Sequence, residues 1–152
     1  MTVAIVDSGF LYAVLDIDDR YHDAALSILN DNRWQFYVPH VILVEVFHDS
    51  LARQRSPHRS RQLIVHHFAQ GLTIVTEELG LHFEEITPTD YRLIAQLLRK
   101  YADAGIDYVN AVVVALAERF GTRYIMTVDA RDFRTYVPSF APHFVLPLFD
   151  DV

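Results

Sequence analysis

The sequence predicts a three-layer α/β/α sandwich with helices on both faces of a mainly parallel sheet. Three observations carry that expectation. Short β-branched or aromatic runs alternate with longer segments of helical periodicity. At 152 residues and 51% hydrophobic content, the chain can bury a core without a covalent or metal staple. Its sequence has no cysteine, which excludes disulfides, thiolate metal sites and cysteine nucleophiles together. One domain over residues 1–152 is expected.

Thr2–Val6 is a buried strand that ends in the turn Asp7-Ser8-Gly9, and a helix begins over Phe10–Leu15. Asp19 is placed to cap a second helix over Tyr21–Leu29, where Ala24, Ala25, Ile28 and Leu29 form an apolar stripe. Phe36–Pro39 reads as a strand and Val41–Leu51 as a largely buried helix. Ser56-Pro57 breaks that pattern and caps a helix running to about Ala69, with Gly71 as its stop. Leu72–Thr76 and His82–Ile86 are both strand-like, and the pattern leaves open which joins the sheet.

Thr87-Pro88-Thr89-Asp90 combines a cap, a proline at the first helical position and an acid at the third. It launches a helix over Tyr91–Tyr101 with Ile94, Leu97, Leu98 and Tyr101 on one face. Asp107–Phe120 is the clearest helix, and Gly121 ends it. Tyr124–Thr127 is a further strand, and Phe144–Leu148 is expected as a last edge strand. No apolar run approaches a membrane span, and Met1–Leu15 has no basic segment before it and carries Asp7 in its middle. A cytoplasmic protein is the expectation.

Open parallel sheets bind ligands beyond the carboxyl ends of their strands. Asp7 ends the first strand there, and Asp129 follows the Tyr124–Thr127 strand. Glu45 lies in an apolar helical run, Val41 to Phe47, where a carboxylate must be paired, hydrated in a cleft or bound to a cation. Asp107 and Asn110 share a face in the first turn of their helix. Asp107 is there either to cap the helix or, with Asn110, to complete an acidic pocket. Asp132 is either a further acid beside the pocket or the cap of a short turn before Phe133. Without cysteine, a metal at this edge would have oxygen ligands, which favour Mg²⁺ or Mn²⁺.

These segments resemble the PIN-domain nucleases, in particular the VapC-type toxins of bacterial toxin–antitoxin pairs. The resemblance rests on Val3-Ala4-Ile5-Val6-Asp7-Ser8-Gly9, Tyr21-His22-Asp23-Ala24-Ala25, Leu43-Val44-Glu45-Val46, Tyr101-Ala102-Asp103, Asp107-Tyr108-Val109-Asn110-Ala111, Ala115 to Gly121, and Ile125 to Phe133. The last contains the pattern Thr-x-Asp-x-x-x-Phe. Each is weak alone, but together they stand in the family's order over most of the chain. The resemblance implies a PIN fold, Mg²⁺ or Mn²⁺, and endonucleolytic cleavage of RNA. It implies metal-binding or supporting roles for Asp7, Glu45 and Asp129, with Thr127 and Ser8 orienting the site by hydrogen bonds. It also implies a cognate antitoxin that covers the acidic pocket, and a homodimer.

One position departs from the family. Asn110 stands where the family usually has aspartate, so the pocket has one negative charge fewer unless Asp107 supplies it. A weakened PIN domain that binds RNA or a protein without cutting is the alternative reading. The net charge of −7 offers no global attraction to phosphates, so action on RNA would depend on cations in the pocket. A receiver domain or a haloacid-dehalogenase phosphatase would need a lysine near the phosphoryl group. The chain's only lysine is Lys100, at a helix end. The basic stretch Arg53, Arg55, His58, Arg59 and Arg61 is either a phosphate- or partner-binding patch or a solvated connection. Trp34, Phe36 and Tyr37 are expected in core or interface.

Overall fold

A computed structural model describes residues 1–53 and 61–152. Its four strands are β1 (Thr2–Val6), β2 (Trp34–Pro39), β3 (His82–Glu84) and β4 (Ile125–Met126). All pair in parallel, in the order β3-β2-β1-β4. The helices are α1 (Ser8–Leu15), α2 (His22–Leu29), α3 (Ile42–Ala52), α4 (Arg61–Glu77), α5 (Pro88–Lys100), α6 (Tyr108–Phe120) and α7 (Ala130–Thr135), with a single 3-10 turn at Ala102–Ala104. The chain runs from β1 to β2 and β3 on one side, then returns to β4 on the other side of β1. The winding therefore reverses between β1 and β4, which is where such sheets open a crevice at their carboxyl ends.

Ala4, Ile5, Val6, Phe36 and Val38 are buried in the sheet. Helices α1 to α4 pack on one another, while α5 pairs with α6. Helix α6 lies against β1 and β2, and every residue from Val109 to Ala117 is buried. That all-round burial explains the apolar composition from Ala111 to Ala117, and each large side chain so buried contributes about 1.5–3 kcal/mol. Trp34 and Tyr37 are core-facing, as expected, with Trp34 edge-on to Tyr124 at 5.1 Å and Tyr37 against Phe120 at 4.3 Å. Among the described residues, no helix is long and apolar enough to cross a membrane.

Four expectations from the sequence are corrected. Gly71 does not stop a helix, and Leu72–Thr76 is not a strand, because both lie within α4. Gly71 is instead a packing position, where a Cβ would come within 3.2 Å of Leu15 Cδ2. The stripe Ile64, Phe68, Gly71 and Val75 repeats at helical spacing, and it outweighs the strand preference of the β-branched residues. Of the two strand candidates, His82–Glu84 therefore joins the sheet. The expected strand over Phe144–Leu148 shrinks to one parallel bridge between Tyr124 and Val145. Val145 N–H donates to Arg123 C=O at 2.8 Å, and the next donor of a parallel ladder would be Pro147, which has no N–H, so the ladder ends there.

Asp19 does not cap the second helix as expected: it accepts from Tyr21 N–H at 2.8 Å in the turn before α2, and no side chain among the described residues caps that helix. Asp19 also pairs with Arg53, whose guanidinium stacks on Tyr12. This ties one end of the basic stretch to the fold. The Ser56-Pro57 break and Arg55, His58 and Arg59 lie outside the described residues.

The α5–α6 pair, which carries Asp107 and Asn110, is clasped at the start of α5. Thr87 and Asp90 form a reciprocal capping box, and Arg119 of α6 reaches Asp90 Oδ1 at 3.5 Å and Glu84 Oε2 at 3.3 Å. Replacing the buried Asp90 with alanine removes the box and leaves Arg119 short of a partner. Urea unfolding of Asp90→Ala is expected to show a loss of about 2 kcal/mol.

Candidate active site at the carboxyl edge

The β1–β4 ladder continues one step beyond its strands. Asp7 N–H donates to Met126 C=O at 2.9 Å, which sets Asp7 beside Thr127. The Thr127 hydroxyl donates to Asp7 Oδ2 at 2.7 Å and accepts the N–H of Asp129 at 2.9 Å. One buried hydroxyl thus fixes both turns that carry the strand-end acids. Gly9 lies directly against Val128 in the neighbouring turn, where any Cβ would collide with the Val128 side chain. From α3, Glu45 Oε2 accepts the Ser8 hydroxyl at 2.6 Å.

A second group of residues adjoins the first. Asp129 caps α7 by accepting Asp132 N–H at 3.1 Å. Asp107 caps α6, accepting Asn110 N–H at 2.8 Å, and is itself exposed. The Asn110 amide donates to Asp132 Oδ2 at 3.3 Å and to the Tyr136 hydroxyl at 3.4 Å. The eight residues singled out in the sequence, Asp7, Ser8, Glu45, Asp107, Asn110, Thr127, Asp129 and Asp132, therefore gather at one edge of the sheet, joined by hydrogen bonds or by mutual charge. Tyr136, buried beneath Asn110, was not anticipated. The only trace it leaves in sequence is an aromatic three residues after Phe133 on a short amphipathic turn.

The PIN-domain family model matches residues 4–137. The chain belongs to the PIN-domain family. Two solved structures share the fold. VapC20 of Mycobacterium tuberculosis, a sarcin–ricin-loop-cleaving toxin, is 16% identical, with a TM-score of 0.67 over 85% of this chain and 92% of that one. VapBC2 of Rickettsia felis, bound to a DNA fragment from its promoter, is 11% identical, with a TM-score of 0.59 over 83% and 87%. No curated protein matches this PIN domain.

Electrostatics single out one acid of the PIN domain. Asp7 is 4% exposed, and its Oδ1 has no hydrogen-bond partner. Burial pushes its pKa up to about 6. The Thr127 bond and the Ser8 amide pull it down, and the charges of Glu45 and Asp129 push it further up. Asp132 is also raised, by burial first and then by Asp129. Tyr136 is raised by burial, against the opposing Asn110 bond. Among the described residues, no three His, Asp or Glu side chains stand close enough to hold a metal by themselves. The fit to a hard cation rests instead on the orphaned Asp7 oxygen and an all-oxygen donor set. Mg²⁺ binds through one or two carboxylates and keeps several of its own waters, so it does not need a closed cage.

An acid whose pKa is raised on folding binds more protons folded than unfolded, so stability falls as pH rises from 3.8 to about 6. Above that range the buried charge costs on the order of 3 kcal/mol. Without divalent ions, Asp7→Asn should therefore melt higher than the parent chain at pH 7.5, with the gap closing by about pH 4; calorimetric scans across that range check the trend. Gly9→Ala is expected to lose at least about 1 kcal/mol, because Val128 must move; chemical denaturation measures this.

Proposed function

We propose that this PIN domain is a divalent-metal-dependent endoribonuclease, the toxin of a type II toxin–antitoxin pair. The observation that carries the proposal is the buried, unpartnered Asp7 oxygen within the field of Glu45 and Asp129. A site that keeps a desolvated carboxylate half satisfied at a stability cost is built for a cation. Membership of the PIN family and the folds of VapC20 and VapBC2 support the nuclease and toxin reading.

Asp7 and Asp129 would be the principal ligands, with Glu45 at a second ion or an ordered water. Once bound, Mg²⁺ or Mn²⁺ supplies charge neutralisation for the phosphate and makes water acidic enough to be the nucleophile. The protein's own part is orientation. The Thr127 hydroxyl occupies Asp7 Oδ2 and leaves Oδ1 as the free oxygen. Ser8 holds Glu45 by one of its two oxygens. RNA is the substrate under this reading, since bound cations reverse the sign that a net charge of −7 presents to phosphate. An antitoxin that inserts a basic group into the pocket, a homodimeric toxin and a cytoplasmic setting complete the proposal.

The test is calorimetry with Mn²⁺ followed by RNA cleavage with and without chelator. Binding together with chelator-sensitive cleavage is expected, and Asp7→Ala should lose at least about 100-fold in cleavage rate while keeping its circular dichroism spectrum. An equally active Asp7→Ala sinks the assignment. If neither metal binding nor cleavage is seen, this PIN domain is a binding module instead.

A further inference from the structure

Asn110 is 6% exposed in the first turn of α6, and its own N–H is already held by the Asp107 cap. Its side-chain nitrogen has two hydrogens, and two acceptors face it: Asp132 Oδ2 at 3.3 Å and the Tyr136 hydroxyl at 3.4 Å. The orientation of the amide is chemically forced, because an ionised carboxylate can only accept. Aspartate at 110 would put two acceptor-only anions against each other in a place with little water. Asparagine supplies the one group that both fits and holds Asp132.

Asp132 is held from its other side as well. Its N–H donates to Asp129 Oδ1 at 3.1 Å, Asp129 N–H donates to Thr127 Oγ1, and Thr127 donates to Asp7. A continuous hydrogen-bonded chain thus runs from Asn110 on α6 through Asp132, Asp129 and Thr127 to the free-oxygen acid Asp7. Asp107, the other acid on the α6 side, is exposed and has its Oδ1 occupied by the cap.

We infer that Asn110 is a positioning residue that holds Asp132 in the pocket, and that Asp132, not residue 110 or Asp107, supplies the negative charge on the α6 side. The inference rests on the proposed metal-dependent reading. A bland alternative exists in which Asn110 only satisfies a buried turn and Asp132 only belongs to the α7 cap, and a charge swap separates the two.

The experiment compares four proteins: the parent chain, Asn110→Asp, Asp132→Asn and the double exchange N110D/D132N. Each is followed by metal-free thermal unfolding and by Mn²⁺ calorimetry. Without metal, Asn110→Asp should melt lower than the parent, and the double exchange should recover most of the loss, because donor and acceptor have merely traded places. With Mn²⁺, Asp132→Asn should bind about tenfold more weakly, and the double exchange should return towards the parent value. Additive melting shifts, with no recovery in the double exchange, overturn the positioning contact. Parent-like Mn²⁺ affinity in Asp132→Asn overturns the role of Asp132 alone. If the parent itself binds no Mn²⁺, the metal-dependent reading falls and takes this role with it, and only the metal-free contact is left to judge. Should Asp132→Asn fail to fold, Asn110→Ala decides the point: a loss of about tenfold in Mn²⁺ affinity is expected, and an unchanged affinity refutes the inference.

Discussion

The turns at this edge are arranged around a single buried carboxylate at the end of a strand paired on both sides. β1 is hydrogen-bonded to β2 and to β4, its residues Val3 to Val6 are apolar, and Asp7 follows it directly. The bond from Asp7 N–H to Met126 C=O fixes its backbone, and its side chain is buried. One of its oxygens accepts from Thr127, and the other has no hydrogen-bond partner among the described residues. Buried polar groups are rarely left in that state, since an unmade bond in a place without water costs more than a made one returns. The neighbouring turns are shaped around this group. Thr127 serves Asp7 and Asp129 at once, and Gly9 is bare so that the two turns can touch.

Much of this was legible in the sequence because it follows from chain order. Alternating strands and helices dictate a parallel sheet, and such a sheet brings strand ends to one edge, so Asp7 and Asp129 could be placed together without coordinates. Glu45 was legible as an anomaly, a carboxylate in an apolar helix. The capping box at Thr87 and the glycine that ends α6 could be read from local chemistry alone. What stayed hidden depends on how elements dock. Gly71 reads as a stop in isolation and proves to be a contact with Leu15, which no window around residue 71 contains. The tail looks like a strand by composition, yet the next ladder donor after Val145 would be Pro147, which has no N–H.

The position most easily misread is 110. In the sequence, asparagine there counts as a missing charge. In the folded protein its amide nitrogen is a donor between an acid and a phenol, and the relevant property is the hydrogen it offers. Neither Asp132 nor Tyr136 lies near residue 110 in the chain, and the contact exists only because α7 folds back over the start of α6. At this position the donor that asparagine brings matters beside the charge that it lacks.

The bond from Thr127 to Asp7 spans 120 residues of chain. Contacts of such long range carry a larger loop-closure cost than local ones. A polypeptide emerging amino end first would display Asp7, Ser8 and Glu45 long before β4 exists to dock beside β1. During synthesis the edge therefore stays without its Thr127 hydroxyl and Asp129 until the ribosome has passed β4.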